Sequence, residues 1–318
     1  MARRYDLVIR GGTLIDGSGA ERVAGDIAVS EGRIAAIGSF EGSGAEEIDA
    51  RDRLVTPGFV DIHTHYDGQA TWDERLQPSS WHGVTTAVMG NCGVGFAPVR
   101  PADHDRLVEL MEGVEDIPGA ALHEGLSWNW QSFPDYLDAL AARRYDMDVC
   151  AQLPHGALRV FVMGERGAKL EAATADDIAQ MKALTEEAMR AGAIGFSTSR
   201  TLNHRTVKGD PTPSLRATEE ELAGIAEGLK AAGSGVFELI SDFNSPDRET
   251  EFAMVRRLVE ASGRPMSISL AQSHSAPQGW RKLLAHIDAA AADGLSMKAQ
   301  VAPRPIGTLY GLQSSLNP

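Results

Sequence analysis

Two histidines, His63 and His65, close the run TPGFVDIHTHYD between Thr56 and Asp67. Gly58, Phe59, Val60 and Ile62 give it the texture of a short buried strand. Residues two apart in a strand face the same way, so both imidazoles are expected on one side. Neutral imidazole is the commonest side-chain ligand of transition metals, and a pair on a rigid strand end is ordered before any ion arrives. H-x-H also occurs in ordinary polar loops. Asp61 and Asp67 tilt the reading toward a metal, because carboxylates there can accept from the ring N–H groups. A third donor is Cys92, held between Gly90 and Gly93 in GNCG at the end of the next strand candidate, where glycines permit a sharp turn and close approach. Cys150, inside the apolar run DVCAQL, reads instead as a small buried hydrophobe.

These residues must be held by the elements around them. Residues 5–55 read as short strands punctuated by turns, with Glu31-Gly32 between two apolar runs as a hairpin signal. After Pro57 strand candidates alternate with helical patterns. The strands are GFVDIHTH, TTAVMGNCG, DVCAQLPHG, AIGFSTS, GVFELIS, MSISLAQ and LSMKAQVAP, most of them too continuously apolar to have a solvent face. Thr174 predicts the start of a helix carrying Ile178, Met181, Leu184 and Ala188 and closed by Gly192. Thr218 with Glu221 is a capping-box signature before Leu222, Ile225 and Leu229, closed by Gly233. Two further helices are expected, one ending at Gly263 and one at Gly294. Such alternation implies right-handed βαβ units and a parallel sheet. The stretch from Arg100 to Trp130 is the longest after any strand, and Trp128, Trp130 and Phe133 make it a candidate pocket wall or lid.

A chain of 318 residues is ample for a large domain and a small one. A formal net charge of −14 repels nucleic-acid phosphates and anionic lipids, so neither is expected as a partner. No apolar run approaches the ~18 residues needed to cross a bilayer, and the N-terminus lacks a signal-peptide core. Two cysteines fit a reducing compartment. The expected location is the cytoplasm.

DLVIRGGTLIDGSG, PGFVDIHTH, GNCG, the PHGALR turn with His155, and AGAIGFSTS together resemble the D-aminoacylase branch of the amidohydrolase superfamily. The resemblance runs over almost the whole chain. It implies an α/β fold, a distorted (β/α)8 TIM-like barrel over residues 57–318 beside N-terminal β-sandwich strands over residues 1–56. It also implies one or two divalent metal ions, zinc above all, and hydrolysis of the amide bond of an N-acyl amino acid. In that family the H-x-H histidines and the GNCG cysteine bind metal, which puts those roles on His63, His65 and Cys92. His155 and His204, both after strand ends, are candidates for touching substrate.

The sequence departs from the family pattern in three places. The fifth strand of the family carries a ligand histidine in a context like THMR, and here GVFELISDF puts Ile240 near that position. The sixth strand reads ISHLK in the family and ISLAQ here, with Leu270 in place of histidine. His274 is a possible substitute. The third departure is at Pro318, shortly after the seventh strand, before the eighth-strand aspartate that handles the proton of the attacking water. The expectation is therefore a barrel cut after its seventh strand, inactive alone. Two other functions stay open: a cyclic-amide hydrolase of the hydantoinase or dihydropyrimidinase type, although the fourth strand lacks the bridging lysine of that type, and a catalytically silent binding or scaffold protein. The oligomeric state is left open.

Overall fold

The computed structural model describes residues 4–243, 247–273 and 276–303. Two compact units divide at Phe59 and Val60.

The first unit is one five-stranded sheet: β1 (Arg4–Leu14), β2 (Val23–Ser30), β3 (Arg33–Gly38), β4 (Ser43–Asp49) and β5 (Leu54–Val55). Its order is β3-β2-β1-β4, with β5 also pairing to β1. The hairpin forms at Glu31-Gly32, where φ values of 52° and 70° supply the left-handed turn that matches strand twist. Among the described residues Tyr5, Val8 and Ala28 form a small buried cluster, while Ile34, Ile37, Ile48 and Leu54 remain exposed.

The second unit is a seven-stranded sheet in spatial order β12-β11-β10-β9-β8-β7-β6. Its strands are β6 (Phe59–Asp61), β7 (Val84–Met89), β8 (Asp148–Pro154), β9 (Gly195–Arg200), β10 (Val236–Ser241), β11 (Met266–Ser269) and β12 (Met297–Gln300). The pairings run in parallel, for example Phe237 with Phe196 and Met266. The sheet curls. A flat one would hold its edges roughly 29 Å apart at about 4.8 Å per strand, yet His63, just after β6, meets Gln300 of β12 at 3.4 Å. This curvature gathers the carboxyl ends of the strands around one point. The arrangement is that of a TIM-like barrel wall.

Helices α1 (His104–Glu115), α2 (Gly119–Gly125) and α3 (Phe133–Ala141) fill the connection from β7 to β8. The stretch read as a pocket wall or lid is thus a folded layer packed into the main core of this unit. Trp130 and Phe133 are buried, and the Trp130 indole donates to the Phe96 carbonyl at 2.8 Å. Helices α4 (His155–Met163), α5 (Glu165–Ala168), α6 (Ala175–Ala191), α7 (Glu219–Ala232), α8 (Arg248–Ser262) and α9 (Gly279–Ala292) complete the connections. At the start of α6, Thr174 and Asp177 form a reciprocal capping box. At α7 only Thr218 caps, because the Glu221 side chain is buried and committed to His155 and Arg159.

Candidate metal centre

His63 and His65 lie beyond the end of β6, not within it as the sequence reading expects; the strand stops at Asp61. What fixes them is Thr64. Its backbone N–H and hydroxyl both donate to the Val88 carbonyl, at 2.9 and 2.8 Å, and its own carbonyl accepts from Asn91 at 3.1 Å. Asn91 donates also to Val88 O at 2.9 Å and accepts from Gln152 of β8 at 2.8 Å. The asparagine of GNCG therefore clamps the first-strand segment to the second strand, with β8 holding the clamp.

Gly90 opens the turn at φ 79°, and a Cβ there would collide with the Gln152 carbonyl. Cys92 follows at φ 55°, an uncommon left-handed conformation for a residue with a side chain. That turn aims the sulfur inward. Cys92 Sγ lies 3.2 Å from His63 Nε2, and His63 Nε2 lies 3.3 Å from His65 Nε2. The three donor atoms are within 4.8 Å of one another.

The trio fits a zinc-class ion. Bond lengths of about 2.0–2.1 Å to nitrogen and 2.3 Å to sulfur give tetrahedral donor-to-donor edges of roughly 3.4–3.6 Å, close to the spacings here. His65 Nδ1 is in addition buried without a hydrogen-bond partner. A sulfur with two imidazoles selects zinc or a similar borderline ion over magnesium or calcium.

The surroundings favour a cation too. Burial raises Asp67 to about 7, with the Gly90 N–H holding it back. Burial, then Asp67 and Asp116, raises Glu115 to about 8. Burial raises Glu238 to about 7 despite bonds from Cys92 N–H and the Ser269 hydroxyl. Burial, followed by these three acids, pushes the Cys92 thiol well up. Burial lowers His63, and with neighbouring His63 and His204 it takes His65 well down, so both rings are neutral and able to ligate near pH 7.

The acceptors that orient the rings are not those expected. Asp61 Oδ1 accepts from the His63 backbone N–H at 3.3 Å, and Asp67 is buried with Oδ2 unpartnered. The partner of the His63 ring is Gln300, unread in the sequence because it is 237 residues away. Glu115 is a second residue that sequence reasoning missed, its Oε1 3.2 Å from His65 Nε2. No local pattern marks either one.

His204 is partly buried near His63 and His65, with which it interacts electrostatically. Burial, then the charge of His63, lowers it to about 4, and its Nδ1 meets Ser199 Oγ at 2.9 Å. His155 does not belong there. It is fully buried, with Nδ1 2.8 Å from Thr198 Oγ1 and Nε2 2.9 Å from Glu221 Oε1, so no atom of its ring is left for a substrate. Ile240 and Leu270 pack against the hydrophobic core and supply no donor. His274 lies outside the described residues.

The sequence matches the amidohydrolase family over residues 46–310. The chain belongs to the amidohydrolase family. Within it the likeness runs to the D-aminoacylase branch. A D-aminoacylase of Alcaligenes xylosoxydans xylosoxydans is 37% identical over 230 residues, which are 72% of this chain and 43% of that protein. A crystal structure of D-aminoacylase, described for the functional role of its binuclear metal centre, superposes with a TM-score of 0.76 at 30% identity, covering 94% of this chain and 59% of that one. N-acyl-D-glutamate deacylase from Bordetella bronchiseptica, complexed with zinc and a phosphonate mimic of the tetrahedral intermediate, gives 0.74 at 28% identity, over 95% and 59% of the two chains. The chain thus spans about half the length of the relatives it matches.

Proposed function

We propose that this chain carries the metal-binding part of a metal-dependent hydrolase that cleaves a non-peptide C–N bond, the amide of an N-acyl amino acid. The observation that carries the reading is the convergence of His63, His65 and Cys92, with donor spacings that suit zinc. The likeness to proteins named as D-aminoacylase and N-acyl-D-glutamate deacylase supports the substrate class.

A bound zinc-class ion supplies Lewis-acid polarisation of the amide carbonyl and a water acidic enough to attack near pH 7. The chain's own residues prepare the place. Gln300 accepts from His63 Nδ1–H and so leaves Nε2 as the ligating atom. Asn91 and Thr64 hold the two histidines against the second strand. His204 Nδ1 is engaged by Ser199, which leaves Nε2 to contact the substrate. The absence of a lysine in β9, Gly195–Arg200, weighs against the cyclic-amide reading.

Elemental analysis and a substrate panel test the proposal. Zinc should copurify with the chain and fall at least about tenfold in Cys92→Ala. Any turnover should favour N-acyl amino acids over hydantoins. Equal zinc in both proteins, or none in either, overturns the metal centre. Zinc binding with hydantoin cleavage alone overturns the substrate class, and zinc binding without turnover of any amide by a full-length relative carrying the same residues favours a silent binding protein.

A further inference from the structure

Glu115 is the last residue of α1, and three features of its position are unfavourable to a carboxylate. It is largely buried, with a side chain only 21% exposed. It sits at a helix C-terminus, where the helix dipole presents partial negative charge. Asp67 and Asp116 add like charge. No arginine or lysine pairs with it among the described residues; its one ion-pair contact is His65, a ring whose other nitrogen is orphaned. Asp67, 2% exposed with Oδ2 unpartnered, repeats the pattern beside it. A largely buried carboxyl whose one ion-pair contact is a ligand-type ring is placed to give its oxygen to an ion in exchange for its proton.

The geometry says where that ion belongs. Glu115 Oε1 lies 3.2 Å from His65 Nε2, near a tetrahedral ligand edge, and adjoins, without being one of, the three donors that lie within 4.8 Å of one another. We propose that Glu115 is a metal ligand of this protein, supplying an oxygen donor to the ion bound at His65. The proposal rests on the reading of His63, His65 and Cys92 as a metal centre. It gives the site a donor that Ile240 and Leu270 cannot provide, from a helix instead of a strand end.

The test compares zinc affinity, by competition with a chromophoric chelator, in the unaltered chain, Glu115→Gln, Glu115→Asp and Cys92→Ala. Glu115→Gln should weaken zinc by roughly 10–100-fold, and Glu115→Asp, which keeps the charge, by less. Without metal, Glu115→Gln should melt at about the same temperature, because the amide keeps the shape of the side chain and only a contact with the ion is lost. With cobalt(II) as the probe, Glu115→Gln should shift the ligand-field bands and retain the Cys92 thiolate charge-transfer band. Unchanged affinity and bands in Glu115→Gln, alongside a loss in Cys92→Ala, overturn the role of Glu115 and leave the metal centre standing. A metal-free Glu115→Gln that melts well below the unaltered chain makes Glu115 a structural residue and also overturns it. Failure of the unaltered chain to bind zinc overturns the underlying reading.

Discussion

The ring of His63 is oriented by a glutamine whose own amide is held the right way round. Gln300 Nε2 donates to Glu238 Oε1 at 3.1 Å and to Ser269 Oγ at 3.3 Å, so its carbonyl oxygen is the end that faces His63 Nδ1. An oxygen there demands a proton on Nδ1 and leaves the lone pair of Nε2 for an ion. Glu238 also accepts from the Cys92 backbone N–H at 3.1 Å, so one carboxylate steadies two of the three donors. Gln300→Ala should therefore weaken zinc by about 10–100-fold with the fold kept. Chelator competition measures the first, and nitrogen-resolved NMR of the metal-free protein should show His63 losing its single tautomer. Unchanged affinity would mean that packing alone aims the ring.

Among the elements, α6 and α7 differ although their N-termini read alike. Thr174 and Asp177 cap α6 reciprocally, and Asp177 also pairs with Arg166 at 2.8 Å. Thr218 caps α7 alone, since Glu221 turns inward to take His155 Nε2–H and Arg159 Nε–H. Burial pushes the Glu221 carboxyl up, and the His155 and Arg159 bonds outweigh it and hold it below its ordinary range. Burial lowers His155, which is consistent with a neutral ring that donates from Nε2 and accepts at Nδ1 from Thr198. Asp177 gives the clearer pH signature. The Arg166 bond first, against burial and aided by Thr174, lowers it to about 2. A depressed carboxyl contributes stability that is complete above its unfolded pKa of about 3.9 and is lost as pH falls through its folded value. Asp177→Asn should cost about 1 kcal/mol at pH 7, and the deficit should shrink between about pH 4 and pH 2. Urea unfolding across that range is the measurement, and a deficit independent of pH would contradict it.

In the second unit as a whole, the metal centre joins segments far apart in sequence: the turn after β6, the turn after β7 and, through Gln300, the end of β12. The ladder runs from β12 to β6, and the His63–Gln300 contact spans its two edges. An ion that binds only the folded arrangement stabilises all of these together. Zinc at about 100 times its Kd should add roughly 2.7 kcal/mol, a rise of roughly 5–10 °C in Tm, and a chelator should reverse it. Hydrogen exchange should slow at residues 63–67, 90–93 and 298–300 in the same titration. A melting temperature indifferent to zinc would show that the ion does not hold these segments.

The sequence by itself determined the features whose cause is local. Apolar strand runs alternating with capped helices required a parallel sheet, Glu31-Gly32 required a turn, and H-x-H followed by GNCG placed three ligand-type side chains at the ends of adjacent strands. Even there one local detail differed, because β6 ends at Asp61 and the histidines owe their convergence to the Thr64 and Asn91 bonds. Only the tertiary structure decided what surrounds the donors. Glu115, Gln300 and Glu238 reach them from a helix end and two distant strands, and no periodicity or spacing encodes that approach. It likewise withdrew His155 from substrate contact and buried Trp130 and Phe133 in the core. Whether a polar or aromatic side chain faces a site or a core depends on which elements cover it, and the curl of the sheet and the packing of α1–α3 and α7 settle that.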